Sequence, residues 1–349
     1  MNRTLMLGGG AILAAIAVAL LLVLDTAAPP ATDDDLVHVS FATDWKAEAE
    51  HGGFYQALAK GYYREAGLDV SIKQGGPAVN VPQLLATGSV DFGIGSNAFI
   101  PLNMAVVNAG AKAVMATFQK DPQVLITHPR DDVKSIADMK GKPIMVSDAT
   151  VSAFWQWLKA KYDFTDDQIR KYTFNTAPFI ADEKAIQQGY LSSEPYTIEK
   201  RSGMTPQVFL LADAGYPGYA SFIMAPNELI AERPEVVRAF VEASIRGWVD
   251  YLYGDPAPGN ALIKRDNPDA TDDLLAHSIS VLKENGIVDS GETETLGIGA
   301  MTDARWRDFY TAMRDAGVYP ADLDLDKAYT LAFVNKGVGL ELEKKFKGE

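Results

Sequence analysis

Hydrophobic positions recur along this chain with two alternating periods. Val37, Val39 and Phe41 fall on every second residue, the spacing of a half-buried strand, over Leu36–Ala42. From Phe54 the apolar set becomes Phe54, Ala57, Leu58, Gly61 and Tyr62, one face of a helix. That predicts a helix over Gly53–Ala66, closed by Gly67 as a left-handed cap. Strands follow at Asp69–Ile72, Val90–Ile94 and Ala111–Gln119. Between them lie a short helix from Asn80 to Gly88, with Pro82 in its first turn, and a helix over Asn97–Asn108. Strand and helix in strict alternation predict a mostly parallel sheet covered by helices.

A second unit starts near Val124. It reads as strands at Val124–Thr127 and Ile144–Ser147, a short helix at Ser135–Met139 and a helix over Val151–Tyr162. Thr165-Asp166-Asp167-Gln168 is a capping box that predicts another helix. Tyr172–Asn175 and Val208–Leu211 read as strands around a helix at Ile180–Gln188. After Tyr219 the pattern turns helical, with Pro234–Tyr253 placing Val237, Phe240, Val241, Ser244 and Trp248 on one face. Further helices are expected at Pro258–Arg265, Asp272–Asn285 and Asp303–Ala316. The expected organisation is a discontinuous first lobe, 36–123 plus 219–349, and a second lobe, 124–218. Two crossings, near 119–124 and 214–219, would make a hinge over a cleft. One large single sheet is the alternative.

Composition narrows the partners. The 349 residues carry 46 acids against 32 bases, a net charge of −14, which argues against nucleic acid and anionic membrane surfaces. The absence of cysteine excludes disulfides, thiolate metal sites and a thiol nucleophile. At the N-terminus, Arg3 precedes an uncharged run from Leu5 to Leu24, and Asp25 and Asp33–Asp35 follow it. This order predicts export of everything downstream. Residues 1–25 are expected to be a signal peptide or an uncleaved membrane anchor, and 26–35 a tether. Thr26-Ala27-Ala28 offers small residues for cleavage, with Pro29 against it.

Catalytic signatures fail. None of the four histidines, His38, His51, His128 and His277, has a second His at metal spacing, and no P-loop, Gly-x-Ser-x-Gly or complete Gly-x-Gly-x-x-Gly occurs. Binding signatures fare better, at four strand-to-helix junctions where open α/β sheets hold ligands. The first holds Asp44, Trp45, Glu48, Glu50 and His51. The second, Gly93–Asn97, offers Ser96 and Asn97. The third, Ser147–Thr150, offers Ser147 and Thr150. The fourth, Ser192–Tyr196, offers Glu194 and Tyr196. Tyr219 stands near the second crossing. Asn97, Asp148 and Thr150 are also plausible helix caps. Acids and aromatics dominate these segments, which suits a flat ring bearing amino groups better than a sulfonate, phosphate or nitrate.

Asp44-Trp45, His51–Ala57, Gly61-Tyr62-Tyr63, Gly67–Val70, Asp91–Ile94, Lys140–Ile144 and Ser193–Tyr196 together resemble periplasmic solute-binding proteins of ABC importers. More narrowly, the chain is similar to the family of thiamine-precursor pyrimidine-binding proteins and the related fungal pyrimidine synthases, over about residues 36–335. The resemblance implies a bilobed α/β fold of the type II periplasmic-binding class, with a two-stranded hinge and a preceding apolar helix. It implies capture of a small heteroaromatic solute, an aminopyrimidine thiamine precursor by best fit, for an ABC permease and ATPase. Trp45 would stack on the ring and Glu194 would meet an amino group. The expected protein is a periplasmic, non-enzymatic monomer without cofactor or metal, touching the membrane only through its N-terminal segment. The alternatives are a synthase-type enzyme, deprived here of its cysteine cluster, a sulfonate, nitrate or other small-molecule binder, or an anchored sensor.

Overall fold

The computed structural model describes residues 36–349; the apolar run Leu5–Leu24 and the Asp33–Asp35 tether lie outside the described residues. Among the described residues no helix is long and apolar enough to cross a membrane. Two five-stranded sheets organise the chain. Strands β1 (Val37–Ala42), β2 (Leu68–Lys73), β3 (Phe92–Asn97) and β4 (Ala111–Phe118) belong to the first. Strands β5 (Gln123–Thr127), β6 (Ile144–Val146), β7 (Ile169–Lys171), β8 (Ile186–Tyr190) and β9 (Gln207–Leu210) form the second. Strand β10 (Ala220–Pro226) returns to the first sheet, whose order is β2-β1-β3-β10-β4; the second sheet runs β7-β6-β8-β5-β9.

Both sheets are mixed, not mostly parallel. In the first, β10 lies antiparallel between β3 and β4, and in the second β5 lies antiparallel between β8 and β9. Strand β10 falls where the pattern after Tyr219 reads as helix. Its fully buried run Ala220–Ala225 has no polar face, so periodicity cannot tell it from a buried helix segment. The expected helix at Ile180–Gln188 divides into a turn of helix at Ala177–Ala181 and strand β8, whose polar Gln187 and Gln188 are buried between β6 and β5.

Other departures have local causes. The Thr165 capping box forms, with the Thr165 amide donating to Gln168 Oε1 at 3.1 Å. The Gln168 amide, however, donates to the Met139 and Lys142 carbonyls at 3.0 and 2.9 Å. The turn therefore ends after Gln168 and passes into β7. No strand forms at Tyr172–Asn175, because Phe174 takes a left-handed backbone, φ 59°. The helix expected over Gly53–Ala66 splits into Gly52–Ala59 and Tyr62–Glu65 at Gly61, φ 77°. The helices expected over Asn97–Asn108 and Val151–Tyr162 become Phe99–Val106, and Asp148–Val151 plus Phe154–Tyr162.

The long helix Pro234–Tyr253 forms over the expected span and supplies the core of the first lobe. Phe240 stacks on Phe92 at 4.2 Å and on Tyr63 at 5.2 Å between ring centroids. Gly52 and Gly53 exist for this packing. A Cβ on Gly53 would stand 2.2 Å from the Trp248 ring, and one on Gly247 2.1 Å from the Gly53 carbonyl oxygen. The chain crosses between sheets at Gln119–Pro122 and again at Leu211–Tyr219. Arg305 holds both crossings, donating Nε to the Pro217 carbonyl at 3.2 Å and Nη2 to the Gln119 carbonyl.

Overpacking a well-filled core costs about 1–3 kcal/mol, so Gly247→Ala is expected to destabilise the protein by that amount or more. A urea titration checks it; an unchanged midpoint would show that the two helices are not pressed together as described.

Candidate ligand-binding cleft

Strand β1 delivers the loop 43–48 to the edge of the first sheet, and several hydrogen bonds fix it there. The Trp45 carbonyl accepts from Thr43 Oγ1 at 2.7 Å and from the Gly75 amide at 3.0 Å. Ala47 is held by Gln74 Oε1 at 3.0 Å and by the Asn267 side chain at 2.8 Å. Gly75 must be glycine, because a Cβ there would lie 2.4 Å from the Thr43 carbonyl oxygen. Trp45 is thereby left half-buried, with its ring against Phe174 of the second lobe, centroids 4.6 Å apart at 50°.

Behind the tryptophan the carboxylates gather. Asp44 Oδ1 meets the Nε2 of His51 at 3.2 Å, while Nδ1 of His51, a residue 3% exposed, has no partner among the described residues. Glu50, 4% exposed, accepts from the Ser192 hydroxyl of the second lobe. The Ser192 carbonyl in turn accepts from Ser278 Oγ of the first lobe at 2.8 Å. Ser192 is therefore gripped from two sides across the seam. Burial pushes the Glu50 carboxyl above the usual range, the Ser192 hydrogen bond opposing it. Glu48 is pushed well up by burial, then by the carboxylates of Glu50, Glu194 and Asp44, with only Lys46 opposing. Tyr190 is held far from ionisation by burial and by Asp121, Asp44, Glu50 and Glu48. The structure thus brings Asp44, Trp45, Glu48, His51 and Glu194 to one place.

Glu194 opens the helix Glu194–Ser202 and is firmly placed. Its Oε2 accepts from the Tyr190 amide at 2.8 Å and Ser193 Oγ at 2.7 Å, and its Oε1 from the Tyr172 hydroxyl at 3.2 Å. Beside it lies a cavity of about 130 Å³, walled by Tyr172, Phe174, Glu194 and Arg201 among others. A groove of about 450 Å³ elsewhere, between Glu65 and the Pro234–Arg246 face, is lined by charged surface residues and touches none of these groups.

The remaining expected site residues stand apart. Asn97 Oδ1 caps the next helix through the Phe99 amide at 3.1 Å, and Ser96 is half-buried beside it at the end of β3. Ser147 caps its helix through the Thr150 amide, the two hydroxyls 3.0 Å apart. Among the described residues no hydrogen bond ties Ser96, Asn97, Ser147 or Thr150 to the carboxylate cluster. Tyr196 stacks on His277 at 4.5 Å, a further contact across the seam, with burial holding the His277 ring below its ordinary value. Tyr219 is 2% exposed and belongs to the core: its hydroxyl donates to Glu292, its ring lies under the Arg305 guanidinium at 4.0 Å, and it takes no part in the cluster. Sequence reasoning missed Phe174, Tyr172 and Tyr190, and Ser278 on the opposing helix.

Asp121, on the first crossing, is 1% exposed, accepts from the Gln123 amide at 3.0 Å and is raised by burial from 3.8 to about 7.

Residues 48–258 match the family described as NMT1/THI5 like. RibY, a riboflavin-binding protein of Chloroflexus aurantiacus, is 28% identical over 310 residues, covering 86% of this chain and 87% of its own. A formylaminopyrimidine-binding protein of Halalkalibacterium halodurans is 24% identical over 274 residues, 73% of this chain and 79% of its own. Among solved structures, a putative periplasmic sulfonate-binding protein of Methylobacillus flagellatus superposes with a TM-score of 0.61 at 16% identity, covering 90% of this chain and 96% of that one. The fold is that of the periplasmic solute-binding proteins.

Between the two Asp121 values the native state keeps a proton that the unfolded chain has released. Its contribution to stability is therefore greatest at the acid end and declines as pH rises through 7. Asp121→Asn, neutral at every pH, is expected to melt above the parent at about pH 8 and to lose less stability between about pH 5 and pH 8. Parallel melting curves against pH for the two proteins would refute this.

Proposed function

This chain belongs to the NMT1/THI5-like family, and on that premise we propose that it is the solute-binding component of an ABC importer. Its cargo is a small heteroaromatic solute rich in hydrogen-bond donors, an aminopyrimidine of the thiamine-precursor type by best fit. The observation that carries this reading is the meeting of Trp45, Glu48 and Glu50 from one lobe with Phe174, Ser192 and Glu194 from the other.

Rings and carboxylates at a seam suit a planar guest with amino or ring N–H groups at its edge. A sulfonate or nitrate finds no such match, because anions among Asp44, Glu48, Glu50 and Glu194 are repelled. Contacts available only when the lobes meet stabilise the closed form, so the guest shifts an open–closed equilibrium. The closed form then docks on the permease, on the exported side of the inner membrane. The protein acts as a monomer, attached to the membrane, if at all, through its N-terminal segment. A synthase role is not the reading we favour, since a chain with no cysteine lacks the ligand cluster expected of that branch. No reaction is assigned.

The test is calorimetric titration with formylaminopyrimidine, alongside mass spectrometry of small molecules released from the denatured protein. The Trp45 ring backs Phe174 across the seam, and a ring pair adds about 0.5–1.5 kcal/mol beyond area burial, so Trp45→Ala, which loosens that wall of the pocket, is expected to weaken binding by roughly 2–12-fold. Unchanged affinity would remove Trp45 from the binding surface, and release of an inorganic anion would overturn the ligand class.

A further inference from the structure

Phe174 is an aromatic residue where the chain should not place one. Its backbone is left-handed, φ 59°, a region that bulky side chains rarely adopt, and its ring is 43% exposed. The result of this conformation is a row of three rings. Trp45 meets Phe174 at 4.6 Å, and Phe174 meets Tyr172 at 5.3 Å. Phe174 thus stands between the indole of one lobe and the cavity of the other, whose walls include Phe174 but not Trp45. Inserting a guest between two rings in van der Waals contact on both faces takes a centroid spacing of about 7 Å, so none fits between Trp45 and Phe174 as they stand.

The cavity itself has a defined chemistry. A carboxylate offers about four lone-pair sites, and Glu194 has three of them filled, leaving one on Oε1. Arg201, at the rim, gives Nη1 to Thr176 Oγ1 at 3.2 Å and has no carboxylate partner among the described residues. A guest here presents a donor to Glu194 and an acceptor, such as a carbonyl oxygen, to the guanidinium. The volume, about 130 Å³, compares with the roughly 150 Å³ of an apolar cavity that holds benzene. The space on this side of Phe174 matches one ring, and a guest of three fused rings would have to extend past Phe174 or out into solvent.

Resting on the function proposed above, we propose that this cavity is the specificity pocket of the cleft and that Phe174 is its size filter, restricting the guest to a single heteroaromatic ring. Phe174 divides the pocket from the indole face of Trp45. Removing its ring merges the two spaces and admits a larger aromatic system. The residue decides, within one fold, between guests of the two kinds named in the relatives, a pyrimidine and a flavin.

The experiment measures dissociation constants for formylaminopyrimidine and riboflavin on the wild-type chain, Phe174→Ala and Phe174→Leu, with thermal melts to confirm folding. The wild type is expected to bind formylaminopyrimidine about tenfold or more tighter than riboflavin; Phe174→Ala moves that ratio toward riboflavin by about tenfold or more, and Phe174→Leu by less. Riboflavin bound as tightly as the pyrimidine by the wild type, or a ratio untouched by Phe174→Ala, overturns the filter and leaves the importer function standing. Binding of neither probe by the wild type counts against the proposed function itself, and the filter falls with it.

Discussion

Carboxylates withdrawn from water at the seam between two lobes set the terms for the rest of this structure. A buried charge is tolerated only where hydrogen bonds, protons or an opposite charge compensate it. Glu50 receives the Ser192 hydroxyl, Asp44 faces His51, and Glu194 is held by a backbone amide and two hydroxyls. Glu48 is withdrawn from water and has Glu50, Glu194 and Asp44 against it with Lys46 alone in its favour, so its carboxyl is displaced toward the protonated form. On the proposed function, a site so rich in acceptors favours guests that bring donors, and because the groups come from both lobes such guests would reward closure.

Rigid packing keeps this arrangement from collapsing into generic electrostatics. Glycines at 52, 53 and 247 let two helices approach to backbone distance, which fixes the loop that carries Trp45 relative to the first sheet. Arg305 ties the two crossings together, and on the proposed function motion of one lobe against the other would bend a short segment of each. Hinge closure of this kind absorbs its change in a few linker residues while the lobes move as bodies. Asp121, whose carboxyl is raised by burial, lies in one of those linkers.

Much of the fold was legible because helical periodicity is long-range within a segment. Pro234–Tyr253 announces itself through Val237, Phe240, Val241, Ser244 and Trp248, and all five are buried. Short central strands carry no such signature. β8 hides Gln187 and Gln188 in the interior, and β10 is buried on both faces, so each is decided by the strands it pairs with. At the seam, the clustering of Trp45, Glu48 and Glu194 could be anticipated from their junctions, since a strand end beside a helix start is local information. The placing of Phe174 could not, because it depends on a backbone conformation that its own side chain disfavours. Tyr219 misled for the opposite reason: closeness to a crossing in sequence says nothing of which way the ring turns, and it turns into the core.

The central claim is that a guest in the pocket beside Glu194 stabilises the meeting of the two lobes at this seam. Hydrogen–deuterium exchange with and without saturating formylaminopyrimidine tests it most directly. The account predicts slowed exchange together in residues 43–51 of the first lobe and 172–194 of the second. Protection confined to one lobe, or centred on the groove beside Glu65 and Arg238, would contradict it.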